Sequence, residues 1–291
     1  MFPYRPSNPK PVRNLKKMPA KLIIEQAPSP NFNERTRPIR YVVLHYTGMP
    51  SEEKALELLR DPDPKRIAYK AELVEHPREG MAPPGPNLNR VSAHYVAFKS
   101  GHIYQLVDEE KRAWQAGAGV YGGETDMNSA SIGIEICNAG HDFGLPDFPD
   151  EQIDAVMELV KQIKERHGLD KRHIIGHSDL APRRKIDPGE KFPWHKFDAS
   201  GISQGIPAAK ADNDKTIIAE EIGSQSEDIA AFQKALSDVG YGIPQNGIFD
   251  EDTKYVLIAF QRRYRQSDVG GKLDVDCLEK ARRLAKIIKP A

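Results

Sequence analysis

The stretch from Ser131 to Gly176 constrains the fold more than any other, because its hydrophobic pattern changes period twice. Ser131-Ile132-Gly133-Ile134-Glu135-Ile136 alternates small or polar residues with apolar ones, the spacing of a strand. Ile153, Val156, Met157, Val160 and Ile163 then recur at steps of three to four, which predicts an amphipathic helix. Pro149, Asp150 and Glu151 suit its first turn, and Gly168 its end. His173-Ile174-Ile175-Gly176 returns to a short strand. Upstream, Tyr41-Val42-Val43-Leu44 reads as a buried strand and Ser51 to Leu59 as a helix. His94 to Phe98 and Ile103 to Val107 form a hairpin around Lys99-Ser100-Gly101-His102. Strands and helices interleaved in this way predict an α/β fold with a mixed central sheet and flanking helices.

The rest of the chain divides around that core. Residues 1–38 are rich in Pro, Asn and Lys without periodicity and read as an extended arm, leaving 39–198 as the main domain. Within it, the polar, proline-laden excursion 61–90 would wall a groove. Residues 199–226, rich in Ala, Ser, Gly, Gln and Asp, read as a linker. Residues 227–291 carry three helical patterns: Ile229-Phe232-Leu236, Val256-Ala259-Phe260 and Leu278-Ala281-Leu284-Ile288. They predict a small all-α three-helix domain.

Charge and cysteine usage remove several functions. Lys plus Arg and Asp plus Glu each number 42, so the net charge is zero and the basic footprint of a nucleic-acid binder is missing. No apolar run approaches the roughly 18 to 20 residues needed to span a bilayer. The basic, proline-rich N-terminus lacks the apolar stretch of a secretory signal, which leads to the expectation of a cytoplasmic protein, with the cell envelope as the alternative. Cys137 and Cys277 are too few and too far apart for a disulfide framework or a thiolate zinc site.

Of nine histidines, His76, His141, His167 and His195 lie in polar surroundings and read as solvated. His45 and His177 each end a short apolar strand, where a side chain can leave the sheet edge for a cleft. Two neutral imidazoles and a carboxylate make a tetrahedral zinc site with the fourth position open to water. His45, His177 and Asp187 supply that set, Asp187 being held in a stiff Asp-Pro-Gly turn. Zinc lowers the pKa of bound water from about 16 to about 7. Glu135 can then serve as base, and Lys185 can place positive charge on a developing oxyanion.

Three segments carry a resemblance: Leu44-His45-Tyr46-Thr47, Asn128 to Glu135, and Gly176-His177-Ser178-Asp179-Leu180-Ala181-Pro182-Arg183-Arg184-Lys185-Ile186-Asp187-Pro188-Gly189. In this order they resemble the bacterial AmpD/AmiD family of N-acetylmuramoyl-L-alanine amidases over about residues 38–198. The resemblance implies the amidase/peptidoglycan-recognition fold and one Zn2+ held by His45, His177 and Asp187. It also implies Glu135 as general base and Lys185 as transition-state stabiliser. The implied reaction hydrolyses the amide between the lactyl group of N-acetylmuramic acid and L-alanine, in peptidoglycan or muropeptides. Ser92 to Tyr95 and Arg112 to Gly117 are further matches. Gln115 stands where the family often has His, a departure expected to alter substrate contacts and to remove no ligand. His94 is expected to be structural. Trp114, Asn128 and Arg184 are candidate substrate-cleft residues, with core or loop packing as the alternative for each.

Phe232 to Leu236, Gly240-Tyr241, Asn246 to Phe249 with Thr253, Ala259 to Gln261 and Gly271 to Asp274 are similar to a three-helix peptidoglycan-binding module. Asn246 replaces the usual Asp, and Cys277 a common Thr; a helical docking or oligomerisation unit is the alternative. A missing signal points to soluble anhydro-muropeptides, whereas an anchoring module points to intact murein, and the module weighs more. The rival of a different class is a non-catalytic peptidoglycan recognition protein of the same fold. Such proteins lack part of the metal set, which is complete here.

Overall fold

The computed structural model describes residues 22–64, 90–209 and 212–289. Most of the expected groove wall at 61–90, and His76 within it, lie outside these residues, as do residues 1–21. The main sheet contains β1 (Ile24–Gln26), β3 (Tyr41–Tyr46), β4 (Tyr95–Ala97), β5 (Ile103–Gln105), β7 (Ser131–Ile136) and β8 (Ile174–Gly176), in the order β1-β5-β4-β7-β3-β8. The pairs β4·β7, β7·β3, β3·β8 and β1·β5 are parallel and β4·β5 is antiparallel, so the sheet is mixed. β2 (Phe32–Glu34) and β6 (Lys111–Ala113) form a separate antiparallel pair, and β9 (Ile217–Ala219) pairs with β10 (Leu273–Asp274). The helices are α1 (Glu52–Leu58), α2 (Met127–Ala130), α3 (Asp150–His167), α4 (His177–Leu180), α5 (Trp194–Ala199), α6 (Glu227–Val239), α7 (Glu251–Tyr264) and α8 (Val275–Ile288). Among the described residues, no helix is long and apolar enough to cross a membrane.

Alternation along the central strands assigns their two faces. Val42, Leu44, Ile132, Ile134 and Ile136 pack with Ile153, Val156, Leu159, Val160 and Ile163 of α3. Acidic Asp150 and Glu151 open α3, basic Lys164, Arg166 and His167 close it, and Gly168 ends it with a φ of 61°. The residues between, Tyr41, Val43 and His45 on β3 and Ser131, Gly133 and Glu135 on β7, leave the opposite face. Tyr41, Val43 and Ile175 join one buried cluster with Phe232, Leu236, Val256, Phe260 and Leu278 of the C-terminal helices. The helical unit is thus packed onto the sheet domain.

Two segments differ from the sequence reading. Residues 22–38 do not form a free arm: β1 closes the sheet against β5, β2 pairs with β6, and Arg35 donates to the carbonyls of Glu109, Ser129 and Ser131. The expected linker contains β9, whose partner lies in the helical unit. Three-residue strands are too short to show a period, and their pairing is entirely non-local. Two histidines also depart from expectation. His141 bonds Tyr46 Oη (2.9 Å) and Glu190 (3.0 Å), and His167 lies 2.5 Å from Glu109; His195 is exposed as expected.

The helical unit repeats one device. Gln233 accepts from Gly247 N–H and donates to the Ile248 carbonyl, while Asp250 caps α7 through Thr253 N–H. Gln261 accepts from Gly271 N–H and donates to the Lys272 carbonyl, while Asp274 caps α8 through Cys277 N–H. Asn246 serves the first copy with its side-chain oxygen, which accepts from Gln233 and from Ile248 N–H. Asn therefore supplies the acceptor an Asp would supply, and its Nδ2 also donates to Asp250 Oδ2 at 3.1 Å.

Candidate active site

His45 stands near the end of β3, and Glu135 is its register partner on β7. Side chains of register partners on adjacent strands leave the same face, so imidazole and carboxylate share one cleft. β8 ends at Gly176, and His177 follows at once as the first residue of α4. Asp187 returns beneath it, with its carbonyl accepting from Ser178 N–H.

The three side chains converge. His45 Nδ1 and His177 Nδ1 are 2.9 Å apart, and each lies 3.0 Å from Asp187 Oδ2. All three residues are buried. The outer ring nitrogens fix the tautomers. His177 Nε2 is 2.8 Å from the Ala116 carbonyl, which can only accept, so this nitrogen carries the proton. His45 Nε2 is 2.6 Å from Gln115 Oε1, whose amide is oriented by Nε2 donating to Ser131 Oγ. Both Nδ1 lone pairs therefore point inward at a carboxylate oxygen. Three acceptors at this spacing repel unless a cation lies among them, and the set could hold a metal ion.

The electrostatics agree. Burial lowers the His177 imidazole to about 3, keeping it neutral. Burial alone would raise the Asp187 carboxyl, but His177, His45 and Lys185 outweigh it and hold it well below the usual carboxylate range. Burial also pulls His45 down, but Asp187, Glu135 and Gln115 together raise it. The cluster attracts positive charge.

Gln115 is the residue whose task the sequence reading missed: it touches His45 rather than only lining a substrate path. Gly133 makes room for it, since a Cβ there would overlap Gln115 Cγ and stand 2.7 Å from Cδ. His94 is structural, its Nδ1 accepting from Gly133 N–H at 2.9 Å. Asn128 Oδ1 accepts from the backbone N–H groups of Gln115, Ala116 and Gly117. Arg184 donates to the carbonyls of Ala116 and Ala118. Both residues therefore hold the 115–118 loop. Trp114 is half-buried, with Nε1 donating to Asn33 Oδ1 at 2.7 Å, so a strand of the supposed arm orients it. Lys185 is near enough to depress both His177 and Asp187.

Comparison with known proteins gives the same direction. A family model described as N-acetylmuramoyl-L-alanine amidase matches residues 35–190, and one described as a peptidoglycan binding domain matches residues 225–280. The chain is 30% identical to N-acetylmuramoyl-L-alanine amidase AmiD of Escherichia coli over 200 residues, 64% of this chain and 71% of that protein. It is 33% identical to 1,6-anhydro-N-acetylmuramyl-L-alanine amidase AmpD of Haemophilus influenzae over 180 residues, 59% of this chain and 89% of that protein. A solved structure of E. coli AmiD with the substrate anhydro-N-acetylmuramic acid-L-Ala-D-γ-Glu-L-Lys superposes with a TM-score of 0.65 at 26% identity, covering 87% of this chain and 91% of that one. With more than half its length matched and a buried His-His-Asp cluster at the ends of its central strands, the chain belongs to the N-acetylmuramoyl-L-alanine amidase family.

Proposed function

We propose that this protein hydrolyses the amide between the lactyl group of N-acetylmuramic acid and L-alanine, with one Zn2+ held by His45, His177 and Asp187. The observation that carries the reading is the inward pair of Nδ1 lone pairs, each fixed by an outward Nε2–H bond, meeting one carboxylate oxygen. When bound, zinc supplies Lewis acidity, polarising a carbonyl and bringing the pKa of water to about 7. Glu135 shares the cleft face with His45, so its carboxylate takes the proton of the attacking water and delivers one to the leaving amine of L-alanine. The Lys185 ammonium faces the developing oxyanion. Trp114 offers its exposed part to the substrate, while Asn128 and Arg184 shape the cleft through the 115–118 loop.

We assign catalysis to the unit the sequence delimits at 39–198 and anchoring on peptidoglycan to that at 227–291, both of which have family matches. The substrate class is murein or its muropeptides; the AmiD neighbour was solved with an anhydro-muropeptide. The test is to load the purified protein with zinc and incubate it with intact sacculi and with anhydro-muropeptides, following newly exposed L-alanine amino groups. Release that stops on chelation and returns with zinc is expected. A zinc-loaded protein that binds sacculi yet releases nothing from either substrate would mark a recogniser instead.

A further inference from the structure

The segment bearing His177 is held from outside the sheet domain. Asp179, two residues after His177, is 1% exposed, and its Oδ2 accepts from Gly176 N–H at 2.8 Å, closing the turn that presents the imidazole. A buried carboxylate needs a countercharge and hydrogen bonds. The helical unit supplies both: Arg263 of α7 donates to Oδ2 at 2.9 Å, and the Tyr241 hydroxyl donates to Oδ1 at 2.7 Å. Arg263 also donates to the Ile174 carbonyl on β8 at 2.8 Å and lies 4.4 Å over the Trp194 ring.

A second path reaches the same imidazole. Gly122 N–H donates to the Gly240 carbonyl at 2.8 Å, and the Tyr121 ring meets Tyr241 edge-on. Between that contact and the metal site, Val120 N–H donates to the Leu180 carbonyl, and the Ala116 carbonyl accepts His177 Nε2–H. Both ends of α4 are therefore fixed to a loop that the helical unit holds.

We propose that the helical unit is a positioning element of the metal centre, with Arg263 and Tyr241 setting His177 for the ion through Asp179. Its role is then more than anchoring, and the idea rests on the zinc reading given above. Partners that orient a metal ligand change affinity by about 10- to 100-fold when removed. Competition with a colorimetric chelator on the full-length protein measures this directly, with thermal unfolding of the zinc-free protein recorded alongside. Tyr241→Phe deletes one hydroxyl and keeps the ring; Arg263→Met deletes the charge and keeps the stem. Gln266→Ala serves as control, because it breaks a bond across the same interface, to the Phe192 carbonyl, without touching Asp179.

Zinc affinity should fall about tenfold in Arg263→Met and by a smaller factor in Tyr241→Phe, and stay at the parent value in Gln266→Ala. Parent-like zinc affinity in Tyr241→Phe, or an equal loss in Gln266→Ala, overturns the proposal. Those two variants decide it alone if Arg263→Met does not fold. A parent protein that takes up no zinc removes the metal reading and this inference together, whereas a zinc-binding parent beside unaffected variants removes only the inference.

Discussion

Gln115 Oε1 lies 2.6 Å from Nε2 of His45, on the side of the imidazole away from Asp187. That contact fixes the ring tautomer and turns the opposite lone pair toward His177 and Asp187. Gln115→Leu should weaken zinc binding about 10- to 100-fold, since the ring loses its outer acceptor. Gln115→Glu, which keeps an acceptor oxygen, should stay close to the parent. Chelator competition on the three proteins checks this.

Gly133 gives the same relationship a steric test. A methyl group there collides with Gln115, so Gly133→Ala should lower both stability and zinc affinity. The overpacking cost expected is about 1 to 3 kcal/mol, read from urea unfolding of the zinc-free protein.

Glu135 is not one of the three residues whose ligand atoms converge, so its removal should separate metal binding from turnover. Glu135→Ala should retain one zinc per chain by elemental analysis while hydrolysis of anhydro-muropeptide falls about 10²- to 10⁴-fold. Near-parent turnover would take the base role from this residue.

Metal removal should also register as lost stability. An ion that binds only the folded chain adds about 2.7 kcal/mol when its free concentration is 100 times its Kd. Chelation should therefore lower the Tm of the parent by several degrees and leave that of His177→Ala unchanged.

Acid stability should depend on Glu109. Its carboxyl is drawn in opposite directions by burial, which raises it, and by Arg166, His167 and Tyr95, which together bring it down to about 2. A carboxyl depressed in the folded state stabilises fully above its unfolded value of about 4.5 and loses that contribution as pH falls toward 2. Glu109→Gln should be less stable than the parent near pH 6, and the gap should close between about pH 4.5 and 2. Urea midpoints across that range measure it; a gap constant with pH would contradict the assignment.

The sequence by itself determined the elements whose apolar period is long or whose run is unbroken. The α3 signal from Ile153 to Ile163 and the β3 run from Tyr41 to Leu44 fall where expected, because local burial pattern suffices to specify them. It also singled out His45, His177 and Asp187, the three side chains that converge, since such a set is written in residue types and in the turns that follow strands. What only the tertiary structure decided were relationships between atoms far apart in the chain. The pairing of Ile24–Gln26 with β5, the Asn33 contact to Trp114 and the Arg263–Asp179 ion pair have no local signature. Nor does the Ala116 carbonyl that fixes His177, since a backbone acceptor is the same at every position and acquires its role only from where the chain brings it.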